Sequence, residues 1–422
     1  MTSDYFGKRI LVAGKGISGA GATKALERAG ATCAYYGDCD INEFAPELIV
    51  VSPGIKPNDP VFGYAEIGGT ELIGELELGY RLSGGKDMIA VTGTNGKTTV
   101  TRMIAEILRS IGVKAVECGN IGVSYAGISL EQYDCAVVEA SSFQLATTVN
   151  FKPRIAVITN ISPDHLNYHG DMAAYVAAKM KIAANQGGDD SLILSADDIP
   201  LEYLNTLHPK TDPYYTSVHG KVRGAYIYNN RIYFCGECVC ELDRLKAQGL
   251  HNCKNALSAV CAAKIYGADN SAIVDALSRF EPDAHRLTLV ARHRGKNYYN
   301  DSKGTNIAAS VAAAKCMVGS TCMIVGGSDK GYEYDLLFEL IPPEVTRIAA
   351  VGETAEKICA AAKRQGFINI KSFSDLAEAF TWANDGDEEN LLLSPASASF
   401  DAFSSYIQRG ELFEKLVHSV AE

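Results

Sequence analysis

The chain has 422 residues, 47% of them hydrophobic, with 39 basic against 50 acidic side chains and a formal charge of -11. That length exceeds the usual span of one domain and supplies apolar surface for several cores. The acidic balance excludes a general nucleic-acid binder, whose phosphate contacts need a basic surface, so any anionic ligand must be held by locally placed cations and backbone N–H groups.

The amino end, MTSDYFGKRILVAG, carries one short apolar run that reads as a strand and lacks the longer core of a signal peptide. No apolar stretch approaches the roughly 20 residues that cross a bilayer. Twelve cysteines scattered through such a chain are expected as reduced thiols rather than a disulfide framework. A cytoplasmic protein without a membrane or nucleic-acid partner is expected.

Short β-rich runs alternate with helical patterns along the chain, the signature of parallel sheets covered by helices. KRILVAG, ELIVVSPG, DMIAVTGTNG, CAVVEASS, RIAVITNISPD, CMIVGG, RIAAVGE and NLLLSPAS each read as a strand. The loops after them are expected to carry the chemistry. The pattern breaks at residues 81–87 and 279–286, which predicts three α/β domains spanning 1–86, 87–282 and 283–422. The expected fold class is a Rossmann-like first domain, a phosphate-loop ATPase-type central domain and a Rossmann-like last domain.

After the first strand come Gly14, Gly16 and Gly19 in GxGxxG spacing, with Asp38 about twenty residues on. Alone this says dinucleotide binding. Its physics is broader, because glycines let the backbone approach any diphosphate and a helix N-terminus favours its charge. A purely structural tight turn stays open as well.

DMIAVTGTNGKTTVTRMI is far more specific: a strand, a Gly-rich turn with Gly93, Thr94, Asn95, Gly96 and Lys97, then a helix opening with Thr98 and Thr99. Backbone N–H groups of such a loop wrap phosphates, the lysine places a point charge at the terminal ones, and the hydroxyl meets Mg²⁺. Val91 stands where the general pattern has its first glycine. No guanine signature follows, so ATP is the expected nucleotide. Further along, Cys235, Cys238 and Cys240 form a CxxC-like cluster without a second pair, expected as a β-hairpin with buried thiols rather than a zinc site.

The compact TGTNGKTT loop resembles that of the Mur ligases and folylpolyglutamate synthases. The resemblance to the D-glutamate-adding branch of the Mur ligases extends through GNIG (119–122), EASSFQL (139–145), NISPDHLNYHG (160–170), YVAAKMKI (175–182), HNCKN (251–255), AHR (284–286), NDSKGTN (300–306) and SPASASFD (394–401). It implies an ATP-dependent, ADP-forming ligase that joins D-glutamate to UDP-N-acetylmuramoyl-L-alanine in peptidoglycan precursor synthesis, through an acyl phosphate and with two Mg²⁺ ions.

By that resemblance Lys97 stabilises the moving phosphoryl charge, and Thr98 and Glu139 bind the first Mg²⁺. His165 and a carbamylated Lys179 serve the second. Asn252 and Asn255 hold the adenine, while Arg286 and Asp301 reach ATP from a closing last domain. Ile17, Ser18, Asp38, Gly54 and Asn120 match contacts to the UDP-muramoyl substrate. Lys303, Thr305, Lys330, Ser399 and the backbone at Phe400 match the D-glutamate cage. A monomer is expected.

Blander readings exist for several of these: Glu139 capping the next helix, Asn252 capping its own, Lys179 as an exposed helical lysine, Lys330 as a solvated loop lysine and Ser399 as a helix cap. Ser397 departs from the family's common SPACAS, where a cysteine stands, and the His165-to-Lys179 spacing is one residue shorter than in some relatives. Rival classes are a folylpolyglutamate synthase-like enzyme, another Mur ligase, a dehydrogenase resting on Gly14 to Gly19, and a non-catalytic nucleotide-binding regulator.

Overall fold

The computed structural model describes residues 4–206, 212–247, 249–281 and 284–421. Its strands form three sheets. The first is built from β1 (Arg9–Ala13), β2 (Thr32–Tyr35), β3 (Leu48–Val51) and β4 (Glu71–Gly74), in the order β2-β1-β3-β4 and parallel throughout. All four residues of β3 are buried, as a parallel strand covered on both faces requires.

The second sheet comprises β5 (Asp87–Thr92), β6 (Ala115–Gly119), β7 (Cys135–Glu139), β8 (Ile155–Ile158), β9 (Ser191–Ser195), β10 (Tyr214–Ser217), β11 (Gly224–Tyr228), β12 (Arg231–Phe234) and β13 (Glu237–Glu241). Its order is β13-β12-β11-β10-β9-β8-β5-β7-β6, and only the pairings of β11 with β12 and β12 with β13 are antiparallel. Alternation along β5 divides the packing: Ile89 and Val91 join the core on one face, Met88 and Ala90 that on the other. The chain leaves β5, visits the edge strand β6 and returns to β7 beside β5, whose other neighbour is β8. The loop after β5 therefore opens at a topological switch point, where α/β sheets place ligands.

The following helix, Lys97–Ser110, buries Val100, Met103, Ile104, Ile107 and Leu108. That spacing is one apolar stripe at helical period, and it seats the phosphate loop rigidly on the sheet.

The third sheet contains β14 (Thr288–His293), β15 (Lys296–Asn300), β16 (Thr321–Gly326), β17 (Val345–Val351), β18 (Ile370–Phe373) and β19 (Asn390–Leu393), ordered β14-β15-β19-β16-β17-β18. The α/β class and the three sheets agree with the expectation from sequence. By contact density the chain forms two compact units, residues 1–162 with 168–281, and residues 163–167 with 282–422. The boundary expected at 282/283 falls on Pro282 and Asp283, outside the described residues. Among the described residues no helix is long and apolar enough to cross a membrane.

The cysteine cluster corrects one expectation. β12 and β13 do form a hairpin, but only Cys240 is buried, and Cys235 and Cys238 are exposed. Cys235 occupies the turn between them, with a positive φ of 47°.

Candidate active site

In the first unit the phosphate loop is shaped by two glycines. Gly93 has φ 145° and Gly96 φ 83°, and a Cβ on either would lie 2.0 Å from Thr159 Oγ1 or 2.3 Å from Asn255 Oδ1. Any side chain there would both strain the backbone and collide. Asn160 pins the loop from β8: its Oδ1 accepts from Asn95 N at 2.8 Å and its Nδ2 donates to Asn95 O at 2.9 Å. Thr94 Oγ1 donates to Ser162 O at 3.0 Å and lies 3.0 Å from the Tyr175 hydroxyl. Gly96 caps the helix Lys97–Ser110 without a side chain, so the N-terminal N–H groups remain available to an anion.

Lys97 folds back over this loop, donating to the carbonyls of Gly93 at 3.0 Å and Thr94 at 2.9 Å. Thr98 is half-buried beside it and Thr99 is buried. Lys179 is 2% exposed, donates to the same Gly93 carbonyl at 2.7 Å and lies over the Tyr175 ring at 4.5 Å. It is therefore not the exposed helical lysine of the bland reading. Its charge, together with burial as the larger cause, holds the nearby His169 imidazole below its usual pKa.

Glu139 ends β7 and is 2% exposed. Its Oε1 accepts from Asn120 Nδ2 at 2.8 Å, and its Oε2 is buried without a hydrogen-bond partner. An orphaned carboxylate oxygen is costly unless something cationic uses it. The next helix, Ser142–Ala146, is capped by Ser141 in a capping box with Gln144, so Glu139 has no capping duty. Among the described residues no three or more His, Cys, Asp and Glu gather as a metal cage. The unused oxygen of Glu139, on the strand paired with β5, fits a cation that takes few protein carboxylates and shares its shell with phosphates and water, the habit of Mg²⁺.

Asn252 and Asn255 are both buried on the helix Leu250–Tyr266, whose N-cap is Gly249, so Asn252 does not cap it. The close approach of Asn255 Oδ1 to Gly96 puts this helix against the phosphate loop. In the first sheet, Gly14 has φ 107°, and a Cβ on Gly19 would fall 1.8 Å from Gly14 O. Ile17 is 70% exposed and Ser18 half-buried at the start of the helix Ile17–Arg28. Asp38 is exposed and paired with Lys15 at 2.6 Å, and Gly54 is exposed after β3.

In the second unit, His165 has φ 53° and follows Asp164, a buried carboxylate. Asp164 accepts from His165 N at 2.9 Å, from Asn306 Nδ2 at 3.2 Å and from the Tyr332 hydroxyl, and pairs with Lys330 at 3.5 Å. Lys330 also donates to Thr305 O at 3.1 Å, which removes the solvated-loop reading. Lys303 lies over the Tyr406 ring at 5.5 Å. Ser399 is buried and its carbonyl accepts from Phe403 N at 2.8 Å, while Phe400 is 75% exposed.

Asp301 is buried, accepting from Ser394 Oγ at 2.6 Å and Leu287 N at 3.1 Å. Burial pushes its carboxyl up to about 6, against the opposing pull of Ser394 and the Arg286 charge. Arg286 is half-buried, with its Nε lacking a hydrogen-bond partner.

Sequence reasoning missed Arg409. Buried, it donates to Ser302 O at 2.9 Å, Ala398 O at 3.0 Å and Ser397 O at 3.2 Å, and so fastens NDSKGTN to SPASASFD. Ser397 uses the hydroxyl that distinguishes it from cysteine, bonding the Tyr334 hydroxyl at 2.6 Å and Thr354 Oγ1 at 3.3 Å.

Residues 91–263 match the family model described as the Mur ligase middle domain. A relative from Lachnoclostridium phytofermentans, named UDP-N-acetylmuramoylalanine--D-glutamate ligase, is 36% identical over 453 residues, covering 99% of this chain and 100% of its own. The chain belongs to the Mur ligase family. A Streptococcus pneumoniae protein of the same name is 38% identical to this Mur ligase, covering 90% of this chain and 84% of its own. Among solved structures, the UDP-N-acetylmuramate-alanine ligase of Thermotoga maritima superposes with a TM-score of 0.60 at 19% identity, covering 98% of this chain and 99% of its own. A pseudomurein peptide ligase type C from Methanothermus fervidus gives 0.64 at 18%, covering 98% and 100%. At such identities these two structures speak to the fold alone.

This Mur ligase therefore holds, in its first unit, a phosphate loop flanked by two lysines, a buried carboxylate with an unused oxygen and two buried amides. In its second unit it gathers a cationic loop around a buried aspartate.

Proposed function

We propose that this Mur ligase joins D-glutamate to UDP-N-acetylmuramoyl-L-alanine with cleavage of ATP to ADP and phosphate, in the cytoplasm and as a monomer. The reading rests on the loop in which Lys97 and Lys179 meet at the Gly93 carbonyl, taken with the names of relatives that span the whole chain. A carboxylate does not condense with an amine at neutral pH until one oxygen becomes a leaving group. The terminal carboxylate of the muramoyl substrate attacks the γ-phosphorus and releases ADP. The amine of D-glutamate then attacks the acyl carbon, phosphate departs, and the ammonium-derived protons pass to solvent.

Lys97 stabilises charge as it moves between the β- and γ-phosphates, and the open helix N-terminus adds fixed dipoles. Gly93 to Thr99 cradle the phosphates, Asn252 and Asn255 read the adenine edge with paired donors and acceptors, and Arg286 and Asp301 serve ATP by resemblance to the family. Bound Mg²⁺ would neutralise phosphate charge, held by Thr98 and Glu139 at one position and, by family resemblance, by His165 and Lys179 at a second.

We assign Lys179 as a carbamate in the active enzyme. Two buried or half-buried ammonium groups directed at one carbonyl repel each other, and carbamylation replaces one of them with an anion. Ile17, Ser18, Asp38, Gly54 and Asn120 are assigned to the UDP-muramoyl substrate. Lys303, Thr305, Lys330, Ser399 and Phe400 are assigned to D-glutamate. The domain limits 1–86, 87–282 and 283–422 go with these three duties: substrate binding, ATP binding, and D-glutamate binding with closure on ATP.

The deciding experiment is ADP release measured with each substrate omitted in turn. Release that requires both UDP-N-acetylmuramoyl-L-alanine and D-glutamate is expected. Release with a folate substrate and L-glutamate instead would move the chain to the folylpolyglutamate synthase side of the superfamily.

A further inference from the structure

Glu75 opens the helix Glu75–Ser83 directly after β4 and is buried. Its Oε1 accepts from Ala126 N at 2.6 Å, yet Oε2 is buried without a hydrogen-bond partner. No lysine or arginine pairs with it among the described residues. Burial drives its carboxyl up to about 7, opposed first by the Ala126 N–H and then by the nearby Ser124 hydroxyl, Gln144 amide and Tyr125 N–H, none of which comes within hydrogen-bond geometry of Oε2. A sequence that keeps a carboxyl in such a place without a cationic partner retains a cost of the kind that hydrophobic substitution would relieve.

The surroundings give that carboxyl an occupation. Ser124 to Ala126 follow the GNIG loop, whose Asn120 bonds Glu139 twice: Asn120 N to Glu139 O at 2.8 Å and Asn120 Nδ2 to Glu139 Oε1 at 2.8 Å. Gln144 lies on the helix after Glu139, where its Oε1 accepts from both Ser141 N and Ser141 Oγ at 2.9 Å. That leaves the amide Nε2 of Gln144 as its group for Glu75. Two close approaches press the same place together. A Cβ on Gly79, one turn beyond Glu75, would meet Ala126 N at 2.8 Å. A Cβ on Gly21, in the helix that begins with Ile17 and Ser18, would meet Ser124 Oγ at 1.8 Å.

We propose that Glu75 is a positioning residue: one buried carboxyl braces both the loop that carries Asn120 and the helix that follows Glu139, and ties them to the substrate-binding sheet. The inference rests on the roles proposed for Asn120 and Glu139. Glu75 acts through those two residues and leaves the amino-acid half of the reaction alone.

The test is a double-mutant cycle in the full chain, Glu75→Ala and Asn120→Ala singly and together, read as kcat and as the KM of each substrate, with calorimetric binding of the UDP-substrate as a readout independent of turnover. Glu75→Ala is expected to lower kcat/KM for the UDP-substrate about tenfold while the KM of D-glutamate stays within twofold. The double variant should be little worse than Asn120→Ala, since coupled residues are non-additive. Glu75→Gln keeps the shape and the Ala126 bond, so it should fold and recover part of the loss. Additive effects, or a Glu75→Gln enzyme in which all three KM values rise together, would overturn the brace. A wild-type chain that ligates no D-glutamate counts instead against the function proposed above.

Discussion

Lys97 and Lys179 share one acceptor: the carbonyl oxygen of Gly93 takes a hydrogen bond from the first at 3.0 Å and from the second at 2.7 Å. One of these lysines starts the helix after the phosphate loop and the other sits 82 residues later (179 - 97) on the helix Met172–Met180. An ammonium buried to that degree is favoured only by the acceptors around it. The carbamate proposed at Lys179 would give Lys97 an anionic neighbour and free the Gly93 carbonyl. Lys179→Ala is therefore expected to lose activity and to recover a measurable part when a short carboxylic acid is supplied in quantity. Lys179→Glu, with a shorter reach, should not replace the carbamate fully. Intact mass or electron density showing a free amine in fully active enzyme would reject the assignment.

Lys97 itself should be dispensable for folding. Its ammonium satisfies two loop carbonyls at a half-buried position, and no apolar core depends on it. Lys97→Ala is expected to reduce kcat by at least about 10²-fold, the scale of losing one charge-stabilising donor in a transition state, with the circular-dichroism spectrum unchanged. Turnover within a few-fold of wild type would refute the role.

Asp301 gives a pH dependence of known sign. Its carboxyl is raised from the ordinary 3.8 to about 6 by burial, so between those values the folded chain holds a proton that the unfolded chain has lost. The contribution to stability is fully present below the lower value and is lost as pH rises through about 6. Its size is on the order of 3 kcal/mol. Asp301→Asn cannot titrate. The melting temperature of wild type minus that of Asp301→Asn should therefore fall as pH is raised from 4 to 7 and level off above. A difference that rises over that interval would contradict the burial argument.

The parallel strands readable from sequence are mostly buried, β3, β7, β8, β16 and β19 throughout and β1, β5 and β17 except near their ends. β1, β3, β5, β7, β8, β16, β17 and β19 are each apolar runs followed by small or polar residues, as parallel strands packed on both faces must be. β2, with Thr32 exposed and its other residues half-buried, and β18, with two exposed residues, lack that run and give no such signal. The same division holds in the site. Lys97, Glu139 and Asn255 stand in local motifs whose backbone setting is fixed by a few neighbours. Asp164 and Arg409 draw their meaning from partners far along the chain, Tyr332 for one and Ser302 for the other. Glu75 is legible only from three-dimensional burial, because a glutamate opening a helix is ordinarily a solvated first-turn residue.

Choice of D-glutamate is expected to depend on the cationic loop of the second unit. Lys330 is held between Thr305 O at 3.1 Å and Asp164 at 3.5 Å, and the buried Asp164 also takes Asn306 Nδ2. Asn306 caps the helix Ile307–Ala314 through Ala309 N, so the position of the ammonium is fixed by a helix end as well as by charge. An acidic protein must supply such a cation locally to hold a dicarboxylate. Removing a group that binds a carboxylate by charge-assisted hydrogen bonds costs about 1.5–3 kcal/mol, or roughly 10- to 150-fold in affinity. Lys330→Ala and Ser399→Ala should each raise the KM for D-glutamate by that order while the constants for ATP and the UDP-substrate move little. L-Glutamate should be a poor substrate, because inversion at Cα misdirects the amine when both carboxylates are held. Steady-state kinetics with each amino acid decide the matter: equal use of the two enantiomers, or an unchanged D-glutamate constant in both variants, removes Lys330 and Ser399 from the cage.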